Sequence, residues 1–370
     1  MSRSRSKRVI AGILALVLVS TLLLTACGNV APGSKESVET KEVTDCIGRT
    51  VTVPKDPQRV VCLYASTAHM MALLGKERLI VGSPDGVRRD ILMQHKYPGI
   101  TSIAVPYVEG INIDELARIE ADVALVRRNI AEDPATAEKL EKLGIPYVTV
   151  DYYSIDELRT AISVVGAVFD EEEKAQAYLD FLDETLFMVK ARTKDIPATE
   201  KKRVYHAINE ATRTDAYGDL CWEITTDAGL INVSTEDGST FSSEDGYITL
   251  EQIYAWNPEH IVANDFNARR YMLTDSKWSG LDAVANKRVY TLPVGVSRWC
   301  HKGSMEPHMA ALFLGRQFYP ELFSDIDLAQ YTKDYYQRFF DLDLSDEEIS
   351  AVLSGEGMRL PKETQGKQDQ

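Results

Sequence analysis

The hydrophobic and polar positions of residues 170–194 follow one face of a helix, with no glycine or proline to interrupt it. The apolar positions recur at helical spacing: Ala175, Tyr178, Leu179, Leu182, Leu186 and Val189. Acidic residues fill the first turn and basic residues the last, as the helix dipole favours. At a rise of 1.5 Å per residue such a helix spans about 35–40 Å. The pattern predicts a stiff connecting helix between two α/β lobes; a surface helix inside one domain is the alternative.

Short apolar runs alternate with amphipathic segments on both sides of this helix. Before it the pattern predicts strands at 45–53, 59–64, 79–81, 123–126 and 147–150, and helices at 66–74, 114–120 and 135–143. After it the pattern predicts strands at 203–208, 261–263 and 289–292, and helices at 220–228, 304–317 and 328–339, with Ser304 as an N-cap. This alternation is typical of parallel sheets with helices on their faces.

One segment is repeated. Residues 112–125 align without gaps with residues 249–262. In both, an acidic residue opens a short helix that turns through an acidic corner into a strand. Two lobes of similar fold explain this repeat economically; chance similarity of two amphipathic helices is the alternative.

The first residues resemble a bacterial lipoprotein signal. Basic residues precede an apolar run from Val9 to Leu24, which is too short for a typical membrane span and ends in small residues before Cys27. This predicts a signal peptide at 1–27, a lipid on the Cys27 sulfur and a membrane anchor; a plain signal peptide with a chance cysteine is the alternative. The polar residues 28–44 predict a flexible tether.

Charge and cysteine content limit the partners and the covalent links that we expect. The net charge of −15 and the pI of about 5.0 argue against a nucleic-acid partner. Four cysteines follow the signal, and export permits disulfides. The least demanding pairs are Cys46 with Cys62 and Cys221 with Cys300, while free buried thiols are the alternative.

Four motifs, in order along the chain, resemble those of the iron-siderophore and cobalamin class of ABC-transporter substrate-binding proteins. They are residues 45–61 (DCIGRTVTVP, then PQRVV), residues 111–125, residues 248–262, and Ser304-x-Glu306 leading to Phe318-Tyr319-Pro320-Glu321. The resemblance implies a TroA-like, class III periplasmic binding protein fold: two Rossmann-like lobes at 45–169 and 195–345, a single connecting helix at 170–194, and a tail at 346–370. It also implies a monomer outside the cytoplasm that holds its ligand in a cleft between the lobes and delivers it to an ABC importer permease, without a cofactor. Lobe closure should be small, because closure needs a hinge and the connecting helix has no glycine or proline.

Ligands of open α/β sheets bind beyond the carboxyl ends of the strands. This rule predicts a first-lobe set: Tyr64, Ser66, Ser83, Tyr107, Arg127, Arg128, Tyr152 and Tyr153. The second-lobe set is Asn209, Arg213, Tyr217, Asp265, Arg298, Trp299 and His301. The arginines suit an anionic ligand, with surface ion pairs as the alternative. The aromatic residues, with Trp222, suit flat ligand walls, with core packing as the alternative. No metal site is predicted, and His308 is interpreted as structural.

The ligands expected are a ferric siderophore first, then a corrinoid or haem, then molybdate or tungstate. The sequence lacks the G-x-S-x-G, H-E-x-x-H and phosphate-loop motifs of common enzymes, so a binding protein is predicted; a secreted enzyme or a surface adhesin is the alternative. The resemblance further implies that Asp114 and Glu251, at matching places in the repeat, contact arginines of the permease. Asp114 is one methylene shorter than the glutamate usual in the family, and neighbouring Glu115 is the alternative contact in the first lobe. The alternative role of Asp114 and Glu251 is to stabilise helix N-termini.

Overall fold

The computed structural model describes residues 39–100, 113–236 and 246–360. Cys27, Tyr107 and most of the predicted tether lie outside these residues. Among the described residues, no helix combines the length and apolar character needed to span a bilayer.

The first lobe is built on a four-stranded parallel sheet. An antiparallel ribbon of β1 (Thr40–Thr44) and β2 (Thr50–Pro54) precedes it. The sheet has the order β4-β3-β5-β6 and consists of β3 (Val60–Cys62), β4 (Ile80–Gly82), β5 (Val123–Val126) and β6 (Tyr147–Thr149). Its helices are α1 (Ala65–Leu73), α2 (Ile91–Lys96), α3 (Ile113–Ile119), α4 (Arg128–Glu132), α5 (Pro134–Leu143) and α6 (Ile155–Phe169). Every residue of β3 and β5 is buried, as expected of parallel strands covered on both faces.

The connecting helix is confirmed as α7 (Glu172–Thr193), two residues shorter at its start and one at its end than predicted. The six apolar positions of its predicted face are all buried. Along its length α7 packs against α6 of the first lobe and against two helices of the second lobe. A Cβ added to Gly166 of α6 would lie 2.9 Å from the Ala175 Cβ, so a side chain there would push the two helices apart.

The second lobe repeats the topology of the first. Its parallel sheet has the order β10-β9-β7-β8 and consists of β7 (Arg203–Ala207), β8 (Ile231–Asn232), β9 (His260–Ala263) and β10 (Val289–Thr291). Its helices are α8 (Leu220–Asp227), α9 (Leu250–Trp256), α10 (Phe266–Thr274), α11 (Asp282–Ala285), α12 (Pro307–Phe318), α13 (Leu328–Phe340) and α14 (Asp346–Ser354). In both sheets the first strand in sequence lies between the second and the third, and the fourth is at the edge. The predicted α/β fold with two lobes is therefore confirmed.

Several predicted boundaries are wrong. The predicted tether ends in β1, and the predicted tail contains α14. The strand predicted at 45–53 begins only at Thr50, because the Asp45 carboxylate accepts the Ile47 and Arg49 amides and folds that stretch into a turn. Ser304 is not an N-cap: α12 begins at Pro307, and the Ser304 hydroxyl donates to the Trp299 carbonyl.

The four cysteines that the structure describes hold free thiols. Cys62 Sγ lies 3.5 Å from Met71 Sδ, inside the first-lobe core. Neither of the two pairings that the sequence left open, Cys46 with Cys62 or Cys221 with Cys300, is therefore present in the structure.

Candidate functional site: the cleft between the lobes

The carboxyl ends of the two sheets face each other. A Cβ added to Gly303, in the loop after β10, would lie 2.8 Å from the Tyr64 hydroxyl at the end of β3. Beside this contact, the Leu220 amide donates to the Tyr153 carbonyl at 2.6 Å. The Tyr152 hydroxyl donates to the Ser304 carbonyl at 3.0 Å. These contacts close the floor of a cleft at the edge where the strand rule places ligands.

Arg127 is held flat on the first-lobe side of this floor. Its Cζ lies 4.5 Å from the centre of the Tyr64 ring, and its Nη2 donates to the Tyr153 hydroxyl at 3.0 Å. Its Nε lies 3.4 Å from Oδ2 of Asp151, which is fully buried. Aromatic stacking and a fixed carboxylate together orient the guanidinium.

Arg128 lies in different surroundings. Its amide opens α4 by donating to the Asp151 carboxylate at 3.2 Å, and its guanidinium lies 3.7 Å from Glu157. Its side chain is about a third exposed. The alternative of a surface ion pair therefore describes Arg128.

Three second-lobe loops are joined beneath Arg298. The Asn209 amide donates to Asn264 Oδ1 at 2.7 Å, and Asn264 Nδ2 donates to the Cys300 carbonyl at 2.9 Å. Arg298 donates to the Asn209 side-chain oxygen. Asn264 thus connects the exits of β7, β9 and β10 and fixes the backbone that carries Arg298 and His301.

Burial and neighbouring cations set the charge on this side. Burial lowers the pKa of Arg298 to about 10; Asp265 opposes the shift, and Arg89 and Arg213 add to it. Arg298 therefore remains a cation at neutral pH. Burial, with Arg298 and Arg213, lowers the pKa of His301 well below its usual value, so this imidazole is neutral. Its Nδ1 accepts the Gly303 amide at 3.1 Å, which leaves the proton on Nε2.

A cavity of about 540 Å³ opens beside this cluster. Arg89 of the first lobe, Asp265 and Arg298 of the second, and Arg359 of the C-terminal segment (residues 355–360) line it. The Asp265 carboxylate also caps α10 by accepting the Asn267 and Ala268 amides. Three arginines face two acidic residues, Asp265 and Glu356, so the charged lining of the cavity is net cationic although the chain carries a net charge of −15.

The other predicted site residues differ in how deeply they are buried. Trp299 is a core residue and not a cleft wall, because it is fully buried and its Nε1 donates to the Tyr336 hydroxyl at 3.0 Å. Ser66, Ser83 and Tyr152 are also buried. Tyr217 is half exposed and packs on Trp222, with ring centres 4.6 Å apart.

Four residues that were not predicted help to shape the cleft: Arg89, Asp151, Asn264 and Arg359. Asp151 and Asn264 closely follow β6 and β9, so they lie at positions that the strand rule covers, although the predicted set did not include them. Arg359 comes from the tail, which carries no pattern that points to the cleft.

Comparisons with known proteins identify relatives of this chain. A family model described as "Periplasmic binding protein" matches residues 60–294. The molybdate-binding protein MolA of Haemophilus influenzae is 23% identical over 347 residues, covering 86% of this chain and 95% of its own. The petrobactin-binding protein YclQ of Bacillus subtilis is 26% identical over 188 residues, covering 48% of this chain and 56% of its own.

Solved structures show the same fold. A periplasmic solute-binding protein from Veillonella parvula superposes with a TM-score of 0.72 at 24% identity, covering 85% of this chain and 97% of its own. MolA bound to molybdate superposes with a TM-score of 0.71 at 21% identity, covering 82% and 99%. The chain therefore belongs to the periplasmic binding protein family, the substrate-binding proteins of ABC transporters.

Proposed function

We propose that this protein captures a compact anionic metal species, of the molybdate or tungstate type, in the interlobe cleft and delivers it to an ABC importer. One observation carries the proposal: donors from both lobes gather around Tyr64. Arg127 stacks on its ring, and Gly303, whose amide is tied to His301, meets its hydroxyl. Arg298 lies in the same loop as Gly303 and donates to the Asn209 side-chain oxygen.

The chemistry of these donors suits an oxyanion. A guanidinium offers paired N–H groups that match the oxygens of an anion, and it keeps its charge when partly buried. The neutral His301 imidazole has its remaining proton on Nε2, so it too offers a donor. The Arg127 guanidinium and the Gly303 loop both lie against Tyr64, and this close approach of the two lobes favours a small ligand over an extended chelate. The similarity to MolA over nearly its full length supports the same class.

A ferric siderophore is the second candidate. The sequence motifs place it first, and the similarity to a petrobactin-binding protein favours it. Aromatic residues at the rim, such as Tyr217 packed on Trp222, would suit the flat surfaces of a larger chelate. The same arginines would then meet its carboxylate or catecholate oxygens.

Calorimetric titration of the purified chain separates the candidates. Molybdate or tungstate is expected to bind with one site per chain, and sulfate and a ferric catecholate serve as comparisons. Arg127→Ala and Arg298→Ala should each weaken binding about tenfold or more, since a charge-assisted hydrogen bond contributes about 1.5–3 kcal/mol. Arg128→Ala is the matched control and should stay within twofold, because Arg128 pairs with Glu157.

The outcomes are distinct. Saturable binding of the ferric complex without molybdate binding would replace the first candidate by the second. Equal losses for the Arg127 and Arg128 variants would contradict the assigned site. Turnover of an ester, peptide or phosphate by the pure protein would contradict a binding function.

We also infer that Cys27, which lies outside the described residues, carries the lipid anchor, because it ends the apolar run of the signal. Cys27→Ala should shift the protein from the membrane fraction to the soluble or unprocessed fraction. Unchanged processing and membrane retention of that variant would remove the lipoprotein assignment.

A further inference from the structure

Two cysteines and a histidine meet in the second-lobe core, just below the cleft floor. His206 lies in β7, Cys221 in the first turn of α8 and Cys300 in the loop after β10. One nitrogen or sulfur atom from each lies within 4.8 Å of the others. All three residues are fully buried. The fold brings them together from three separate segments, and ligand capture as proposed above uses none of them.

The imidazole is already oriented by a carboxylate. His206 Nδ1 lies 2.7 Å from Asp215 Oδ2 and 3.9 Å from Cys300 Sγ. Asn232 Nδ2 donates to the same Asp215 oxygen at 2.8 Å. The nitrogen that faces the thiols is therefore bound to Asp215. A metal ion in this cluster would have to displace that hydrogen bond, so the arrangement favours thiol chemistry over metal binding.

The charges favour one thiol as the nucleophile. Burial lowers the pKa of His206, but Asp215 and Cys300 outweigh burial and raise that pKa well above its usual value. Burial also raises the pKa of Cys300, but a hydrogen bond from Cys221 and the nearby His206 outweigh it and hold that pKa below the usual value. Burial raises the pKa of Cys221 well above the usual value. An activated sulfur and a protonated partner thiol thus lie side by side.

We propose that Cys221 and Cys300 are a redox pair, present here as the dithiol, that an external disulfide converts into an intramolecular disulfide. The Cys300 sulfur attacks one sulfur of the external disulfide, whose S–S bond breaks, and the released thiolate takes up the proton held by His206. Cys221 then gives its proton to the neutral His206 and attacks the Cys300 sulfur; the mixed disulfide breaks, and the second external thiolate leaves and takes that proton from His206. Two protein thiols are oxidised, and one external disulfide is reduced to two thiols.

A disulfide between Cys221 and Cys300 would affect the ligand-binding side of the second lobe. Relatives of this family act outside the cytoplasm, where disulfides persist. The bond would tie α8 to the loop that carries Arg298 and His301, the second-lobe donors of the cleft. Because both sulfurs are buried, the exchange takes place during folding or when that loop opens.

Mass spectrometry of the full chain tests the proposal without any variant. The protein is equilibrated with oxidised dithiothreitol, denatured in acid and alkylated with a maleimide, with and without prior reduction. We expect Cys46 and Cys62 to be alkylated in both samples, and Cys221 and Cys300 only after reduction, with a peptide that joins them. Alkylation of all four without reduction would overturn the proposal. Protection that a chelator removes would also overturn it, because it would identify a metal site.

Thermal unfolding supplies a second readout. Oxidation should raise the Tm of the parent chain, and Cys221→Ser or Cys300→Ser should abolish that rise. Cys46→Ser is the matched control and should keep it. A rise that persists in both single variants would contradict the assigned pair.

Discussion

At the scale of single residues, His308 is the least expected side chain of the core. It is fully buried in α12, and neither ring nitrogen has a hydrogen-bond partner. The rings of Tyr178, Phe181 and Tyr335 surround it edge to face, with centres 5.2–5.7 Å away. Burial alone lowers its pKa to about 3. The sequence interpretation of His308 as structural agrees with this position.

This position predicts a pH-dependent stability. An exposed imidazole titrates near pH 6.5, so the unfolded chain takes up a proton between about pH 6.5 and 3 while folded His308 does not. Stability present above pH 6.5 is therefore lost as the pH falls. Between pH 7 and 5 the loss from this residue is about 2 kcal/mol. The phenyl ring of His308→Phe fits the aromatic surroundings. The free energy of unfolding of this variant should fall by about 2 kcal/mol less than that of the parent between pH 7 and 5.

Denaturant unfolding at the two pH values measures this difference. His95→Gln is the control, because His95 is exposed and the parent's loss should remain. An equal loss in the parent and the Phe variant would show that His308 is protonated in the folded chain.

Arg127 and Arg128 show what sequence can and cannot predict for the site. Both follow β5, so the strand rule places both at the carboxyl edge of the sheet. Their side chains diverge because α4 begins at Arg128 and turns it towards Glu157, whereas Arg127 stacks on Tyr64. That choice depends on long-range neighbours, which no local pattern contains. For Trp299 the same rule was wrong, because its partner Tyr336 comes from a distant helix.

At the scale of elements, the internal repeat was the most informative pattern. The helices of the repeat, α3 and α9, have equal lengths, and each ends in a left-handed residue, Glu120 or Asn257. Each leads into the third strand of its sheet, β5 or β9. The repeat is therefore one structural unit used twice, and the shared strand order extends it to both sheets.

Two stretches were missed by sequence, for different reasons. The amphipathic pattern of α6 lies directly before the connecting helix, and only Asp170, in the left-handed conformation, separates α6 from Glu171 and α7. The sequence predicted residues 346–370 only as a tail. The structure instead packs residues 355–360 against the first lobe: the Ile91 amide donates to the Met358 carbonyl, and Arg359 pairs with the buried Asp90. Backbone pairing of this kind depends little on side-chain pattern.

At the scale of the whole molecule, the lobes are joined by α7 and again by this C-terminal segment. Val294, after β10, donates to the Val352 carbonyl of α14, so the segment starts from the second lobe. The sequence predicted small lobe closure from one stiff helix without a hinge. Two crossings restrain the lobes more than one, which supports that prediction without measuring the motion.

The same architecture places two acidic residues symmetrically. Asp114 and Glu251 are exposed in the first turns of α3 and α9. A helix that leads into a parallel strand runs opposite to it, so its N-terminus lies near the carboxyl edge of the sheet, where the cleft opens. One carboxylate is thus presented beside the cleft on each lobe. We propose that these two carboxylates dock the loaded protein on basic residues of the importer.

Charge reversal tests this docking proposal. Asp114→Arg with Glu251→Arg should leave ligand affinity within twofold and abolish uptake, because docking of charged surfaces depends on their complementarity. The alternative, helix stabilisation, concerns only some tenths of a kcal/mol per residue. Glu172→Arg with Asp346→Arg is the matched control: both are exposed first-turn acids, and the charge change is the same. Normal uptake by the Asp114 and Glu251 variant at normal expression would defeat the assignment. Equal loss in the control would show that net charge, and not these two positions, governs delivery.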